Sequence, residues 1–503
     1  MNKTLLRCAS LLLAAVLAFG HFIPGRATSQ HAALMPDRIV NLSYFYKPPT
    51  NADAATVAGN FGALVLTGGD EAFRDKLVAN GFTSIIPQYF RSEAIQDPGG
   101  CTASPWKNQV AYKAGDFCDI SQNHPDWFLL DTNGNRIKAA NSTSESFYRM
   151  DPGSAGWRSF FVSRLIENQQ QRGWSAVFLD NVEASLAQVR NVGVVPAKYP
   201  DETSYRAAVR GFLQYLDVNY SKAYNRPIYG NIIARSNTDE ATWLDYMQYL
   251  SGGMQERWSV DWSLTGYVSE TGWKADMALA EKTQAQGKSI ILHAPGNQSD
   301  TGRQNFAFAS YLLIANGKAA FRYSNSSAYR EVWLYDNYKI QLGSPLGARY
   351  QSGTAWRRDF SQGYVLVDPG NHTATISLTP ASLSTVYNDK NSAFAYSSGW
   401  SQVNDSRAIG GEFKMTQTAG SSVTFSFSGQ KFSVIYKTGP VFGKVDVYVD
   451  GKLVGTINQN TSTALFQQKW VYGSTLATGS HKLKMVFTGP AGGKGSVDAV
   501  SIP

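Results

Sequence analysis

The chain has 503 residues, a length that allows two or three domains and a large buried core. Its formal net charge is +8, and no run of Lys and Arg concentrates that charge, so the composition argues against nucleic acid as a partner. Aromatic residues make up 13% of the chain and 45 residues are glycine. This mixture suits an extracellular protein that handles sugars, and it also suits ordinary β-rich packing.

The amino terminus has the features of a secretory signal. Lys3 and Arg7 form a positive region, an apolar stretch follows over residues 11–19, and small and polar residues come next. We therefore expect a signal peptide over residues 1–30 and a mature protein that is secreted or associated with the cell surface, without a membrane span. The alternative is an uncleaved anchor, although the apolar stretch is short for a span.

Two cysteines remain in the expected mature chain, Cys101 and Cys118, and both lie in one glycine-rich loop. Outside the cytoplasm, such a pair favours a disulfide. The alternative is a metal-binding pair, but nearby His or further Cys residues at ligand spacing are missing from the sequence. We therefore predict a disulfide, no metal and no cofactor.

Strand and helix patterns alternate from residue 38 to about residue 325. The predicted strands are 38–46, 63–66, 83–89, 176–179, 227–233, 249–256, 289–295 and 318–324. Helical patterns lie between most of them, at 71–80, 154–171, 205–223, 275–286 and 303–315. Eight alternations at this length predict an α/β fold, a (β/α)8 TIM barrel. A long loop, from about residue 91 to residue 123, interrupts the pattern and contains both cysteines and Trp106.

The pattern changes past residue 330, where helical periodicity ends and short alternating strands begin. Asp450-Gly451 between two of these strands is a hairpin-turn signal. We predict a catalytic barrel over residues 31–328, a small β-domain over 329–382, and an all-β jelly-roll sandwich over 383–503.

Two carboxylates stand at the ends of predicted barrel strands, Asp180 after the fourth and Glu256 at the end of the sixth. Polar residues at the carboxyl ends of barrel strands face the active-site mouth. Cleavage of a glycosidic bond needs such a pair, because one carboxyl protonates the leaving oxygen and the other attacks the anomeric carbon or activates water. The simpler interpretation of Asp180 is that it caps the next helix or turn.

Three stretches carry a resemblance to a known group. They are Leu179-Asp180-Asn181 with Glu183 nearby, GGMQE at 252–256, and MDPGSAGWRSFF at 150–161. Over about residues 38–380 the chain resembles bacterial TIM-barrel glycosyl hydrolases related to the α-galactosidase and endo-α-1,4-polygalactosaminidase families. The resemblance implies that Asp180 is the nucleophile and Glu256 the acid/base, with Asp261 as the alternative for the second role.

Further polar and aromatic residues near predicted strand ends are candidates for substrate binding. They are Tyr44, Tyr46, Tyr89, Asn181, Asn231, His293 and Arg322. Asn231 and His293 suit sugar hydroxyls, whereas Tyr44 and Tyr89 suit a platform for a sugar ring. For each of them the alternative is a hydrogen-bonded structural residue of the core, which is the commoner role of buried polar groups.

The carboxyl-terminal region has a resemblance of its own. The segments FAYSSGW (394–400), VYVDGK (447–452) and SHKL (480–483) are similar to galactose-binding-like jelly rolls attached to secreted glycosidases. The resemblance implies a carbohydrate-binding module that holds an enzyme on its polymer. The alternative is a spacer that binds nothing.

The sequence therefore predicts a secreted, retaining glycoside hydrolase acting on an extracellular poly- or oligosaccharide. The alternative is a non-catalytic carbohydrate-binding or adhesion protein that uses the barrel as a scaffold. A polysaccharide deacetylase or esterase is disfavoured, because the sequence shows neither metal-binding His and Asp clusters nor a Gly-x-Ser-x-Gly elbow.

Overall fold

The computed structural model describes residues 33–36, 38–139, 146–190, 193–234, 239–378, 385–490 and 492–503. The predicted signal peptide, residues 1–30, lies outside the described residues, and so does the predicted boundary between residues 382 and 383. Within the described part of the chain, no helix combines the length and the apolar character needed to cross a membrane.

The amino-terminal part is built around a parallel sheet. The first ten strands are β1 (Ser43–Tyr46), β2 (Ala63–Thr67), β3 (Gln88–Arg91), β4 (Ala94–Asp97), β5 (Ser146–Arg149), β6 (Val177–Glu183), β7 (Ile228–Ile233), β8 (Gly252–Gln255), β9 (Ser289–Pro295) and β10 (Ala319–Ser324). Strands β4 and β5 pair with each other, and the other eight form one sheet in chain order. A parallel bridge between Leu42 and Phe321 joins its first and last strands, so the sheet is nearly closed and the predicted (β/α)8 barrel is confirmed.

Helices alternate with these strands. They are α1 (Ala54–Asn60), α2 (Glu71–Ala79), α3 (Asp116–Asn123), α4 (Ala155–Arg172), α5 (Ala187–Arg190), α6 (Glu202–Leu216), α7 (Glu240–Tyr246), α8 (Glu270–Ala285) and α9 (Thr301–Ile314). Single turns of 3-10 helix lie at Pro125–Trp127, Ser326–Ala328, Asp336–Lys339 and Ile409–Gly411, and α6 continues as a π-helix over Asp217–Lys222. Local signals set the ends of α4, because the Ser154 side chain accepts from the Trp157 N–H and Gly173 follows with a φ of +71°.

The alternation of side chains along the strands separates two cores. Inward-facing residues, among them Val65, Phe178 and Met254, fill the inside of the barrel, while the opposite faces pack against the helices. Leu34 and Met35 belong to the inner set, and the Ile85 N–H bonds to the Ala33 carbonyl at 2.9 Å. Residues 33–36 thus lie at the amino ends of the strands, which leaves the carboxyl ends for a site.

The long loop after β3 is cross-linked as predicted. Cys101 and Cys118 form a disulfide with their Cα atoms 5.5 Å apart, and this bond ties the loop to α3. The third strand differs from its predicted range 83–89, since β3 begins only after Pro87. Proline has no N–H to give to a neighbouring strand, so the regular ladder starts one residue later.

The remaining strands are antiparallel. They are β11 (Tyr350–Ser352), β12 (Ala355–Phe360), β13 (Gly363–Asp368), β14 (Thr373–Ser377), β15 (Thr385–Asn388), β16 (Phe394–Tyr396), β17 (Trp400–Asn404), β18 (Glu412–Thr416), β19 (Ser422–Ser428), β20 (Ser433–Thr438), β21 (Lys444–Val449), β22 (Lys452–Asn458), β23 (Leu465–Val471), β24 (Ser480–Phe487), β25 (Gly495–Val497) and β26 (Ala499–Ile502). Strands β11–β14 form one sheet, and β15–β26 form three further sheets around a separate apolar core. The predicted all-β region is confirmed, while the exact domain boundaries stay predictions.

The sheet β11–β14 packs on the outside of the barrel. Phe360 and Val365 belong to the same apolar cluster as the barrel helices. Arg358 donates to the carbonyls of Leu312 and Ala315 at 3.0 and 2.7 Å, and so satisfies the end of α9. This sheet is therefore an extension of the barrel core.

The lack of space around Gly252 in β8 allows a test of stability. A Cβ on Gly252 would lie 2.5 Å from the Ser289 carbonyl oxygen of the paired strand, whereas a Cβ on Gly59 in α1 would meet nothing within 4 Å. We expect Gly252→Ala to lower the free energy of unfolding by about 1–3 kcal/mol. Gly59→Ala, the matched control, should be neutral or stabilising by up to about 1 kcal/mol. Thermal unfolding followed by circular dichroism measures both, and equal shifts in Tm would contradict the expectation.

Candidate active site

The end of β6 is irregular at the two residues that the sequence singles out. Leu179 pairs with Gly230, but Val182 pairs with Ile232, so β6 has one extra residue in this interval. Asp180 and Asn181 lie in it, and Asn181 has a φ of +56°. A bulge of this kind changes the direction of side chains and is common beside functional sites.

The carboxyl ends of the strands surround a cavity of about 530 Å³, a volume that includes its open mouth. We call it the barrel hollow, and its lining residues are Phe45, Tyr46, Val65, Tyr89, Phe178, Asp180, Asn231, Met254, Glu256 and Tyr329. Most of this lining is apolar or aromatic, and a few polar groups converge within it. Such a combination is typical of small-molecule sites.

Two side chains hold the Asp180 carboxylate. The Tyr89 hydroxyl donates to Oδ2, and the Asn231 Nδ2 donates to Oδ1 at 2.9 Å. The Ser92 hydroxyl also donates to the Asp180 main-chain carbonyl, at 2.6 Å. Because both the side chain and the main chain are bonded, the orientation of this carboxylate is fixed before any ligand arrives.

Glu256 is the second carboxyl group of the barrel hollow. Its burial raises the pKa to about 7, with a further rise from the negative charge of Asp180, while a hydrogen bond from the Asn231 side chain acts in the opposite direction. Near neutral pH this group is therefore present in both its protonated and its charged form. A carboxyl of this kind can serve as a general acid and, after losing its proton, as a general base.

Asn231 interacts with both acids. Its amide nitrogen bonds to Asp180, its side chain stabilises the charged form of Glu256, and it lies at the carboxyl end of β7. Its Oδ1 is buried and has no hydrogen-bond partner among the described residues. An acceptor in that state can take a hydrogen bond from a ligand hydroxyl.

Tyr46 and Tyr89 also line the barrel hollow, with their rings edge to face and 5.0 Å between centroids. Asn181 turns the other way, and its Nδ2 donates to Glu93 at 3.1 Å. Tyr44 lies outside the lining, packed against Phe61 in the outer layer with its hydroxyl donating to the Lys47 carbonyl at 2.6 Å.

His293 and Arg322 are buried next to the lining rather than in it. The His293 Nε2 is 3.0 Å from the Ser324 hydroxyl, and burial lowers its pKa to about 3, so the ring is neutral. Arg322 donates to the carbonyls of Phe45 and Tyr329 at 2.7 Å each. Arg322 thus holds two lining residues in position, and the sugar-binding roles of Tyr44, His293 and Arg322 stay predictions.

Two other acids named from the sequence do not line the barrel hollow. Asp261 bonds to Ser263 and lies 3.8 Å from Arg303. Glu183 forms a buried ion pair with Arg149 at 2.7 Å and accepts from the Tyr205 hydroxyl. Both acids have local partners, which leaves Asp180 and Glu256 as the two acids of the lining.

Five lining residues were not predicted from the sequence: Phe45, Val65, Phe178, Met254 and Tyr329. The first four are apolar residues inside strands and cannot be told from ordinary core residues. Tyr329 follows β10 in a loop, and its position depends on the bond from Arg322. Among the described residues, no group of three or more His, Cys, Asp or Glu side chains is placed to hold a metal ion.

A barrel with two carboxyl groups in a hollow at the carboxyl ends of its strands has the architecture of an enzyme, and comparison with known families gives the class. Residues 103–364 match the model of the hypothetical glycosyl hydrolase family 15, GHL15. The match covers more than half of the chain, which therefore belongs to this family.

Individual similarities are more distant. An A type blood N-acetyl-α-D-galactosamine deacetylase of Flavonifractor plautii is 27% identical over 113 residues, which are 22% of this chain and 14% of that protein. This chain thus spans only about a seventh of that relative.

Solved structures show weaker similarity. The glycoside hydrolase domain of PelA from Pseudomonas aeruginosa is 16% identical with a TM-score of 0.37, over 58% of this chain and 97% of that one. A family 35 carbohydrate-binding module from Clostridium thermocellum is 15% identical with a TM-score of 0.20, over 24% of this chain and 98% of that one.

The raised pKa of Glu256 predicts a pH-dependent stability difference. Between pH 4.5 and about 7 the folded chain keeps a proton at Glu256 that the unfolded chain releases, so this group lowers stability as the pH rises through that window. Glu256→Gln removes the effect. The Tm of the variant minus the Tm of the unchanged protein should therefore be larger at pH 8 than at pH 5. Glu270→Gln, on an exposed helix surface, is the control. A Tm difference for Glu256→Gln that is independent of pH would contradict the assignment.

Proposed function

We propose that this protein is a secreted glycoside hydrolase that cleaves glycosidic bonds of an extracellular poly- or oligosaccharide. The observation that carries the proposal is the shared placement of Asp180 and Glu256 in one sugar-sized hollow, with Asn231 interacting with both. Membership of the family supports the reaction class. Secretion is proposed from the amino-terminal sequence, and sugar binding by the β15–β26 region from its resemblance to sugar-binding jelly rolls.

The two acids take different roles because their surroundings differ. Glu256, with a pKa of about 7, gives its proton to the glycosidic oxygen as the bond from that oxygen to the anomeric carbon breaks. The Asp180 carboxylate, held by Tyr89 and Asn231, forms a bond to the same carbon. Glu256 then removes a proton from water, which attacks the anomeric carbon and releases Asp180 as a carboxylate.

The bridging amide favours the retaining course. Asn231 donates to the Asp180 carboxylate and its side chain also acts on Glu256, so both carboxyl groups lie within reach of one amide. Retaining enzymes place their two carboxyl groups about 5–5.5 Å apart, whereas inverting enzymes need a wider gap for water. Asn231 acts on both acids and thus supports a covalent intermediate on Asp180.

A second candidate comes from the Flavonifractor plautii relative, whose name states deacetylation of N-acetyl-α-D-galactosamine. Removal of an acetyl group releases acetate and leaves the glycosidic bond intact. The two reactions therefore differ in their products, and both products can be measured in one assay. A non-catalytic binding protein would yield neither product.

Replacement of either acid tests the hydrolase. On a polysaccharide that the unchanged protein degrades, Asp180→Asn and Glu256→Gln should each lower kcat/KM by about a thousandfold or more. New reducing ends and free acetate are measured together, and glycan binding should persist in both variants. Asp261→Asn, outside the lining, is the matched comparison. Unchanged release of reducing ends in both variants would refute the roles, and release of acetate alone would favour the deacetylase.

The stereochemistry of the first product tests the retaining course separately. Proton NMR during the first minutes of hydrolysis identifies the anomer formed before mutarotation. We expect the configuration of the substrate to be kept, because Asp180 and then water each invert the anomeric carbon once. An inverted first product would mean that the second carboxylate activates water directly.

A further inference from the structure

A second depression adjoins the barrel hollow and shares Tyr46 with it. We call it the tryptophan groove, and its lining residues are Tyr46, Lys47, Gly68, Trp106, Lys107 and Asn108. Its volume is about 580 Å³ including its open side. The groove and the barrel hollow meet at Tyr46, at the carboxyl end of the first barrel strand.

Tyr46 forms the wall between the two depressions. Its φ of +104° lies in a region that bulky residues rarely adopt, and such conformations concentrate at functional sites. This backbone breaks the alternation of β1, so that Phe45 and Tyr46 both line the barrel hollow. The Tyr46 ring is thus placed where a chain of sugars passing from one depression to the other would contact it.

Trp106 supplies an aromatic surface on the other side of the groove. Its side chain is 43% exposed, yet it is fixed. Its ring packs edge to face on Phe147 at 5.2 Å, and the main-chain N–H of Trp106 donates to the Gln96 Oε1 at 2.8 Å. The disulfide from Cys101 closes the same loop. An exposed but ordered tryptophan offers a large contact area at little entropic cost.

Positive charge lies beside this aromatic surface. Lys107 is exposed, and among the described residues no carboxylate lies within ion-pair distance of its ammonium group. Lys47 donates to the Thr67 hydroxyl at 2.5 Å and is 3.8 Å from Asp70, so its charge is partly balanced. The uncompensated cation is therefore Lys107, and it favours an anionic group on whatever lies against Trp106.

We propose that the tryptophan groove is a further sugar-binding subsite that takes a pyranose residue bearing a carboxylate. Trp106 contacts the face of the ring, and Lys107, assisted by Lys47, binds the carboxylate. The inference rests on the proposed hydrolase for the position of the cleaved bond, which lies in the adjoining barrel hollow. It narrows the substrate to acidic oligo- and polysaccharides that are long enough to occupy both depressions.

The test measures binding without turnover. The inactive double variant Asp180→Asn/Glu256→Gln is run in native gels that contain polygalacturonate, alginate or carboxyl-reduced, neutral polygalacturonate. The two acidic polymers should retard it and the neutral one should retard it less. Adding Trp106→Ala should weaken the binding of the retarding acidic polymer about tenfold, and Lys107→Gln about threefold with a weaker salt dependence. Lys107→Arg should retain most of the binding.

Matched controls separate the groove from the general positive charge of the chain. Lys76→Gln removes the same charge from α2, and Tyr224→Ala removes an aromatic side chain that is 46% exposed at the opposite end of the barrel. Neither should change retardation. If neither acidic polymer retards the protein, if neutral polymer retards it equally, or if Trp106→Ala and Lys107→Gln behave like the controls, the subsite is refuted.

The binding test of the subsite and the activity test of the hydrolase can fail separately. Binding that depends on Trp106, in a protein that hydrolyses no polysaccharide, would support the subsite and refute the hydrolase. Hydrolysis of an acidic polymer with binding unchanged in Trp106→Ala would support the hydrolase and refute the subsite.

Discussion

The hydrogen bond between Asn231 and Asp180 is the interaction on which the site depends. Two carboxyl groups in a half-buried hollow repel each other when both are charged, and burial adds a desolvation cost. The amide of Asn231 fixes one of them, and the second, Glu256, keeps a proton up to about pH 7. Burial and the neighbouring Asp180 charge raise the pKa of Glu256, while the neutral Asn231 holds the Asp180 carboxylate in place.

The barrel supports this arrangement through residues that never reach the hollow. Arg322 is buried and donates to the carbonyls of Phe45 and Tyr329, which places two rings of the lining. His293 is neutral and fills the space beside them. These polar groups belong to a rigid shell, and a rigid shell keeps reacting groups at a fixed geometry.

Strand patterns were sufficient to predict the barrel. Polar residues at the strand ends indicated Asp180, Glu256, Asn231 and Tyr89, which line one hollow in the structure, while their roles stay predictions. The short helices α1, α3, α5 and α7 were not predicted, because one or two turns carry too little periodicity. Asp450-Gly451 was readable as a turn, and both residues have positive φ in the structure. Tyr44 illustrates the limit, since a shift of one residue along a strand exchanges the faces of the sheet, and its neighbour Phe45 faces the hollow instead.

The disulfide between Cys101 and Cys118 has a consequence that depends on where the protein resides. The two acids and their hydrogen-bond partners lie on barrel strands or directly after them, while the loop that presents Trp106 is closed by a bond that exists only under oxidising conditions. Reduction of the disulfide would loosen the side of the tryptophan groove that carries Trp106 and would leave the acids of the barrel hollow in place. The affinity for a long polymer would then depend on the redox state of the surroundings, whereas the cleavage of a short oligosaccharide would not.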